Sequence, residues 1–254
     1  MRHVSWTLAA LLACAALPAA AEEPAADPGA ESEAPAGWLR GWTGKGEFGL
    51  VKTTGNTDSE AVNLKLEFVK QSELWRHRFF GAALTTSEDG DKDTERYQVE
   101  IQSDRKLTDR SYLFGAFRWD ADKFGAYDPQ LTLTAGYGRE LMKSERHLLK
   151  AEIGAGYRDL EERISGASSS EAIIRFLVDD TWKITDNTEW VNRLLVESGS
   201  DNTFSQFNTG LAVAMNDKFA IKVGFEARHN SEVPPGDSDK TDTTTTVNLV
   251  YNFQ

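Results

Sequence analysis

Two polar residues near the C-terminus have types and a spacing that could support hydrolysis. His229 and Ser231 are two positions apart, so in an extended segment their side chains share one face. A histidine beside a serine is part of the arrangement that hydrolases use for acyl transfer. The complete arrangement also needs an orienting group and an oxyanion site, which this spacing does not identify. A hydrolase with a site at these residues, at the rim of the folded domain, is therefore an alternative interpretation. The preferred interpretation is that both are polar rim residues that precede a Pro-Pro-Gly loop.

A group of acidic residues has the spacing of a calcium loop. Asp89, Asp91 and Asp93 occupy positions 1, 3 and 5 of such a loop, and Glu100 falls at position 12. Thr94 stands where the loop requires glycine, so an EF-hand is not expected, and a metal site at the three aspartates remains a weaker alternative. A looser alternative is that acidic loops recruit divalent ions beside lipopolysaccharide, and these loops also contain Asp237, Asp239 and Asp242.

Three glycines near the N-terminal part of the folded region form the pattern G-x-G-x-x-G. They are Gly44, Gly46 and Gly49. The pattern indicates dinucleotide binding only where it joins a strand to a helix that receives the phosphates. No helical period follows, so we expect small residues that let a strand bend, and no cofactor.

The composition excludes two broad classes of protein. There are 28 basic and 40 acidic residues, for a net charge of -12, whereas nucleic-acid binding requires a basic surface. The mean hydropathy is -0.47, which leaves no room for a bundle of apolar membrane helices. The 13 Phe, 7 Trp and 6 Tyr are more than a disordered chain keeps in solution.

The first 37 residues differ from the rest of the chain. Residues 1–21 have a short polar start, an apolar stretch and three alanines before Glu22, which predicts a cleaved signal peptide. Lipid modification of Cys14 is the alternative. Residues 22–37 are rich in Ala, Pro and acidic residues, which predicts a disordered linker. Residues 38–254 form the predicted folded domain.

The folded region alternates apolar and polar residues with period two. Leu64, Leu66 and Phe68 oppose Lys65 and Glu67, and such alternation predicts a two-faced strand. Similar runs predict twelve strands, which begin near residues 42, 59, 75, 94, 111, 130, 147, 171, 188, 205, 219 and 241. Most of these strands are long enough to cross a membrane at a tilt. The sequence therefore predicts an all-β protein, a closed antiparallel transmembrane β-barrel of about 12 strands.

The connections and the aromatic residues agree with this fold. Short connections (71–74, 107–110, 142–146, 183–187, 216–218) alternate with longer ones (54–58, 86–93, 121–129, 161–170, 198–204, 231–241), as expected for short periplasmic turns and longer extracellular loops. Closure requires the strand from Trp42 to pair with the last strand. An aromatic girdle is expected at the periplasmic ends, from Trp42, Trp75, Tyr112, Trp182, Trp190, Phe219, Tyr251 and Phe253. A soluble periplasmic or secreted β-sandwich or lipocalin-like binder is the alternative fold.

The polar face of the strands is predicted to line the lumen. The candidate lumen-lining residues are Lys45, Glu47, Lys65, Glu67, Arg78, Glu100, Lys150, Glu152, Arg175, Lys222, Glu226 and Arg228. Basic residues outnumber acidic ones on this face, eleven to eight when further strand positions are included. Twelve strands fall between the barrels that side chains fill and those that form wide pores. We therefore expect a narrow or partly plugged lumen with a mildly basic lining.

Two segments carry a resemblance to a known family. Trp42-Thr43-Gly44-Lys45-Gly46-Glu47-Phe48-Gly49-Leu50 with Thr54-Gly55-Asn56-Thr57-Asp58, and Lys240-Thr241-Asp242 with Leu249-Val250-Tyr251-Asn252-Phe253, resemble the YdiY-like family of salt-stress-induced outer-membrane proteins. The resemblance covers residues 38–254. It implies an outer-membrane location and no assigned reaction.

We therefore expect a non-enzymatic outer-membrane barrel. Its function would be either a narrow channel for small, anionic-leaning solutes or a stress-induced structural role in the envelope. The expected partners are outer-membrane lipids, lipopolysaccharide, the barrel assembly machinery and possible small solutes, with no nucleic acid.

Overall fold

A computed structural model describes residues 41–53, 59–234 and 239–253. The predicted signal peptide, Cys14, the linker, the Thr54–Asp58 turn and Asp237 lie outside the described residues. Within the described residues, no helix is long and apolar enough to cross a membrane.

Twelve strands make up the described part of the chain. They are β1 Trp42–Thr53, β2 Ser59–Gln71, β3 Trp75–Glu88, β4 Asp91–Lys106, β5 Ser111–Asp122, β6 Tyr127–Lys143, β7 His147–Glu162, β8 Ser168–Lys183, β9 Thr188–Ser198, β10 Thr203–Ala214, β11 Phe219–Asn230 and β12 Thr241–Phe253. Each strand pairs with its neighbours in the sequence, and β12 pairs with β1. All pairs are antiparallel. The predicted closed twelve-stranded barrel is confirmed.

The seam between β1 and β12 is the shortest ladder of the barrel. It has five residue pairs, from Gly44 with Phe253 to Phe48 with Leu249. The β1–β2 ladder, by contrast, continues to Thr53, and the β11–β12 ladder continues to Thr241. The two strands therefore meet as predicted, but over less than half of their length.

The ends of the barrel differ in their connections. The turn rim, which carries both ends of the described chain, has connections at 72–74, 107–110, 144–146, 184–187 and 215–218; the loop rim has those at 54–58, 89–90, 123–126, 163–167, 199–202 and 231–240. Eight strands begin at the predicted residue. The other four, β4, β6, β8 and β10, begin two or three residues earlier, all at the loop rim.

The shortening of a predicted loop by its flanking strands is largest at the β3–β4 hairpin. Asp89 and Gly90 alone connect these strands, with φ of 51° and 89°. Two residues with positive φ match the twist of a hairpin, and Asp-Gly is a favoured pair for that turn. The predicted eight-residue loop is thus mostly strand.

The outward face of the barrel is apolar across its middle. Ile153, Ile174 and Leu133 are about 60% exposed on this face (59%, 63% and 60%), which is costly in water and favourable in lipid. Near the turn rim, His147 stacks on Trp182 and Tyr251 packs edge-on against Phe253. The predicted girdle needs one correction, because Tyr112 is 3% exposed and faces inward, where its hydroxyl donates to Glu152.

Candidate functional site: the barrel lumen

One side of the lumen is filled by apolar side chains. Phe114, Leu177, Leu195 and Phe204, from β5, β8, β9 and β10, are each 4% exposed or less. Two clusters form this packed side: Leu177, Leu195 and Phe204 pack together, and Phe114 packs with Tyr112 and Ala116. Alternation alone assigns such residues to the lipid face, so the sequence did not place them here. Their burial makes half of the lumen a protein core.

Arginines lie on the aromatic rings of the packed side. The Arg118 guanidinium is 4.7 Å from the ring centroid of Phe204, and that of Arg175 is 4.8 Å from the centroid of Phe114. Arg175, a predicted lining residue, also donates to Glu152 at 2.6 Å. Stacking on a ring and pairing with a carboxylate together compensate the loss of hydration around a guanidinium.

The other side of the lumen holds the open chamber, a cavity of about 570 Å³. Its walls come mainly from β1–β4 and from β7–β11, and it reaches the turn rim at Gln71, Lys143 and Thr181. Ten of the twelve predicted lining residues line it: Lys45, Glu47, Lys65, Glu67, Arg78, Glu100, Lys150, Glu152, Lys222 and Glu226. The eleventh, Arg175, belongs to the packed side, and the twelfth, Arg228, lines a recess at the loop rim.

Every carboxylate that lines the open chamber is ion-paired. Glu100 accepts from both Arg78 and Arg193 at 2.9 Å, and Glu47 accepts from Lys222 at 2.6 Å. The remaining pairs are Glu67 with Arg78, Asp104 and Glu140 with Arg76, Glu140 with Lys143, Glu152 with Arg175, Asp179 with Arg193, and Glu226 with Arg96. The chamber therefore offers no free carboxylate.

Three lysines in the same chamber are not paired. Among the described residues, Lys45, Lys65 and Lys150 have no ion pair and no side-chain hydrogen bond. Lys45 and Lys65 come from the adjacent strands β1 and β2, and Lys150 comes from β7 on the opposite wall. These three ammonium groups are the unneutralised charges of the chamber.

A smaller cavity of about 90 Å³ continues from the chamber toward the loop rim. Both cavities share several lining residues, among them Glu47, Lys65 and Glu226. Arg96, 7% exposed, ends this path. Its guanidinium donates to Asp122 at 2.6 Å and to Glu226 at 3.2 Å, and its Nη2 lies 3.7 Å from Asp242. We call this group the Arg96 latch.

Further ion pairs cross the lumen beside the Arg96 latch. Arg228 of β11 donates to Asp120 of β5 at 3.2 Å, and these strands are six positions apart in a ring of twelve. Arg118 of β5 donates to Glu197 of β9 at 2.5 Å. These links between walls narrow the axial route between the open chamber and the loop rim.

The predicted excess of basic over acidic residues in the lumen lining is not found when the buried residues are counted. Eight carboxylates but only five guanidinium groups are among the buried residues of the lumen. The prediction omitted acidic side chains that face inward near the strand ends: Asp104, Asp122, Glu140 and Glu171. Among the omitted bases are Arg96, on the inward face of β4, and Lys143, which lines the open chamber. The lining of the open chamber has eight basic and eight acidic residues, so its unpaired positive charge comes from lysines that make no ion pair.

The sequence contained a signal for several of these omitted residues. On β4, Arg96, Gln98, Gln102 and Asp104 share the parity of Glu100. Extending that parity along the whole strand finds them, because successive side chains face opposite sides. No comparable signal marks Asn248 as a seam residue. Its amide joins Asn63 at 3.1 Å and Glu47 at 3.2 Å.

The structure separates the candidate hydrolytic pair. His229 Nδ1 lies 2.8 Å from the hydroxyl of Thr241 on the outward face. The Ser231 hydroxyl instead accepts from the backbone N–H of Thr203 at 2.8 Å and donates to Asn202 at 3.3 Å. No hydrogen bond joins His229 to Ser231 in the described structure. The arrangement is that of a hydrogen-bonded rim.

The candidate metal residues are also dispersed. Asp89 lies in the β3–β4 turn, whereas Asp91 and Asp93 lie on β4, and Asp93 accepts from Thr86. Glu100 faces the lumen and pairs with two arginines. Among the described residues, no group of three or more His, Cys, Asp or Glu is arranged to hold a metal. The weaker alternative of a metal site at Asp89, Asp91 and Asp93 stays a prediction.

The glycine pattern has a packing explanation. A Cβ at Gly44 would lie 2.8 Å from the Phe68 ring, and one at Gly46 would lie 3.3 Å from the Phe253 ring. At Gly49 a Cβ would lie 2.3 Å from Asn248 Oδ1. The three glycines lie within β1 and make room for side chains on both of its faces.

Two solved structures share this architecture. The NanC porin aligns with a TM-score of 0.50 at 10% identity, covering 84% of this chain and 99% of that one. An outer membrane channel from Pseudomonas putida F1 aligns with a TM-score of 0.51 at 14% identity, covering 90% and 100%. Identity this low shows the fold alone, a barrel of the outer-membrane type.

Sequence comparison gives the family. The uncharacterized protein YdiY of Escherichia coli (strain K12) is 29% identical over 219 residues, which is 86% of each chain. The family described as "Protein of unknown function, DUF481" matches residues 46–253, nearly the whole barrel. The chain therefore belongs to the DUF481 family.

Proposed function

We propose that this protein is a narrow, latched channel of the outer membrane that admits small anionic solutes. The observation that carries the proposal is the open chamber, in which all eight carboxylates are ion-paired while Lys45, Lys65 and Lys150 are not. A solute anion in the chamber gains attraction from these ammonium groups and meets no unpaired carboxylate. The filled opposite side keeps the path narrow.

The proposed location follows from the outer surface. Its apolar middle, with aromatic residues near the turn rim, suits a lipid bilayer with the turn rim in the periplasm. Outer-membrane lipids and lipopolysaccharide would then contact the wall, and the barrel assembly machinery would insert it. No enzymatic role is proposed.

Bilayer recordings test the channel. The wild-type protein in planar bilayers is expected to show small current steps, with a reversal potential in a salt gradient that indicates preference for chloride over potassium. Replacing Lys45, Lys65 and Lys150 by Gln should move the reversal potential toward zero, because the unpaired charges are removed. Replacing Lys70, Lys183 and Lys218 by Gln is the matched control, since none of these lines the chamber.

Two results would contradict the proposal. Absence of steps above background would argue for the structural envelope role, which the packed side and the cross-lumen ion pairs favour. Steps with the same selectivity in both triple variants would show that the chamber lysines do not act on passing ions.

A further inference from the structure

The seam between β1 and β12 opens toward the loop rim. Pairing stops at Phe48 with Leu249, yet β1 stays paired to β2 up to Thr53, and β12 stays paired to β11 back to Thr241. Both strands are therefore continuous and held on their far sides. The divergence is a wedge between two intact strands, which distinguishes it from fraying of a strand end.

The narrow end of the wedge is fixed by a buried side chain. Asn248 is 1% exposed and hydrogen-bonds to Asn63 and Glu47 across the seam. Gly49 allows this arrangement, since its Cβ would lie 2.3 Å from Asn248 Oδ1 and 2.9 Å from the Val247 carbonyl oxygen. The strands are thus in contact at Gly49, and no described residue pair joins them beyond it.

Apolar side chains border the wedge on the outside. Leu50 is 56% exposed and Val247 is 53% exposed, on the same outward faces as Phe48 and Leu249. On the neighbouring strand, Phe225 is also exposed. The wedge therefore begins at the edge of the apolar belt, where the chains of lipids meet their headgroups.

A mixed apolar and polar cavity lies directly behind the wedge. The cavity of about 90 Å³ is lined by Thr244, Thr246 and Asn248 of β12, and its inner wall includes Leu84 and Val191. Lys65, unpaired among the described residues, also lines it. An apolar wall beside a free ammonium group fits an apolar chain with an anionic head.

We infer that the β1–β12 wedge is a lateral portal through which this cavity and the connected open chamber take up an anionic single-chain amphiphile from the outer leaflet. The axial route beyond this cavity is narrowed by the Arg96 latch, whereas no described β-ladder closes the wedge. The portal inference rests on the proposed channel function, because the cavity behind the wedge shares Lys65 with the open chamber.

Photolabelling from the bilayer tests the portal. A twelve-carbon fatty acid with a diazirine in its chain is added to phosphatidylcholine vesicles that hold the full barrel, and labelled residues are located by mass spectrometry. The expected result is label on the inward-facing Thr246 and Leu84, besides label on outward residues such as Ile153. Label on outward residues alone would overturn the proposal.

A cross-linked variant separates lateral from axial entry. In a Cys14→Ser background, Leu50→Cys with Val247→Cys is bridged by a short bifunctional thiol reagent. Bridging should abolish inward label and leave the label at Ile153 unchanged. The control pair is Phe225→Cys with Thr245→Cys, across a ladder that is already closed. Inward label that survives bridging of the wedge would show axial entry and contradict the portal.

The portal and the channel can fail independently. Current steps without inward label would refute the portal and leave the channel. Inward label that bridging removes, without any current steps, would support the portal and refute the channel.

Discussion

Ionic side chains inside the lumen act as a set of links between walls. Arg96 is the member that separates the inner cavities from the loop-rim recess, since Asp122 and Asp242 line that recess while Glu226 lines the chamber. Its three contacts join β4 to β5, β11 and β12. Arg96 therefore joins four strands at the boundary between the inner cavities and this recess.

Removing the latch should raise the current. Arg96→Ala deletes all three contacts and widens the path, so we expect larger unit conductance in planar bilayers than for the wild-type protein. Arg105→Ala is the matched control, because Arg105 lies on the same strand and is exposed. Equal conductance in the wild type and Arg96→Ala would contradict the role of Arg96 as the latch.

Arg158 tests the energetic value of a buried pair. It is 0% exposed and donates to Glu171 and to the backbone carbonyl oxygen of Asn202. Arg158→Met leaves Glu171 as an uncompensated buried charge, which should lower the free energy of unfolding by about 3–5 kcal/mol. Denaturant titration in lipid vesicles measures this loss.

The matched variant removes both charges. Arg158→Met with Glu171→Leu should recover much of the lost stability, because no buried charge remains without a partner. A double variant as unstable as Arg158→Met alone would show that packing, and not charge, explains the loss.

Lumenal residues could be predicted where charge and parity agree. All twelve candidate lining positions lie on inward-facing strand positions, since charged residues cannot face lipid cheaply. Phe114, Phe204 and Leu177 could not be placed this way. An apolar residue is compatible with either face of a barrel wall, and its side depends on which neighbours fill the space inside.

Strand packing depends on glycines at close approaches between strands. Gly136 of β6 faces the packed side, where an added Cβ would lie 2.2 Å from the Ile153 carbonyl oxygen and 2.8 Å from the Phe114 ring. Gly115 of β5 faces outward, with nothing within 4 Å of such a Cβ. The two positions form a matched pair on neighbouring strands.

Substitution at Gly136 should destabilise the barrel. Gly136→Ala inserts a methyl group against backbone, which should cost about 1–3 kcal/mol of unfolding free energy. Gly115→Ala should leave stability nearly unchanged. The denaturant midpoints of the two variants provide the comparison. Equal midpoints would show that the strands move apart at Gly136 to admit the methyl group without a loss of stability.

The strand pattern was the most predictable level of this protein. Period-two alternation gave all twelve strands and eight exact starts. The four early starts lie at the loop rim, where two of the added segments, 91–93 and 168–170, contain only polar residues and thus no apolar signal. The Asp89–Gly90 turn shows what alternation omits. An Asp-Gly pair favours a two-residue hairpin turn, so the strands extend into the segment that composition suggested was a loop.

Closure of the whole sheet created features that no single strand contains. The division into a packed side and an open chamber arises because bulky inward residues are concentrated on β5 and β8–β10. The short seam arises because β1 and β12 pair over five positions. Both depend on residues far apart in the chain, which local periodicity cannot relate.

The whole-molecule account requires the apolar outer face to contact lipid. The five described tryptophans, on outward positions, are Trp42, Trp75, Trp119, Trp182 and Trp190. In a Trp6→Phe, Trp38→Phe background, their fluorescence in vesicles should be quenched strongly by brominated phospholipids and weakly by aqueous acrylamide. Strong acrylamide quenching with no effect of bromination would place this face in water and contradict the account.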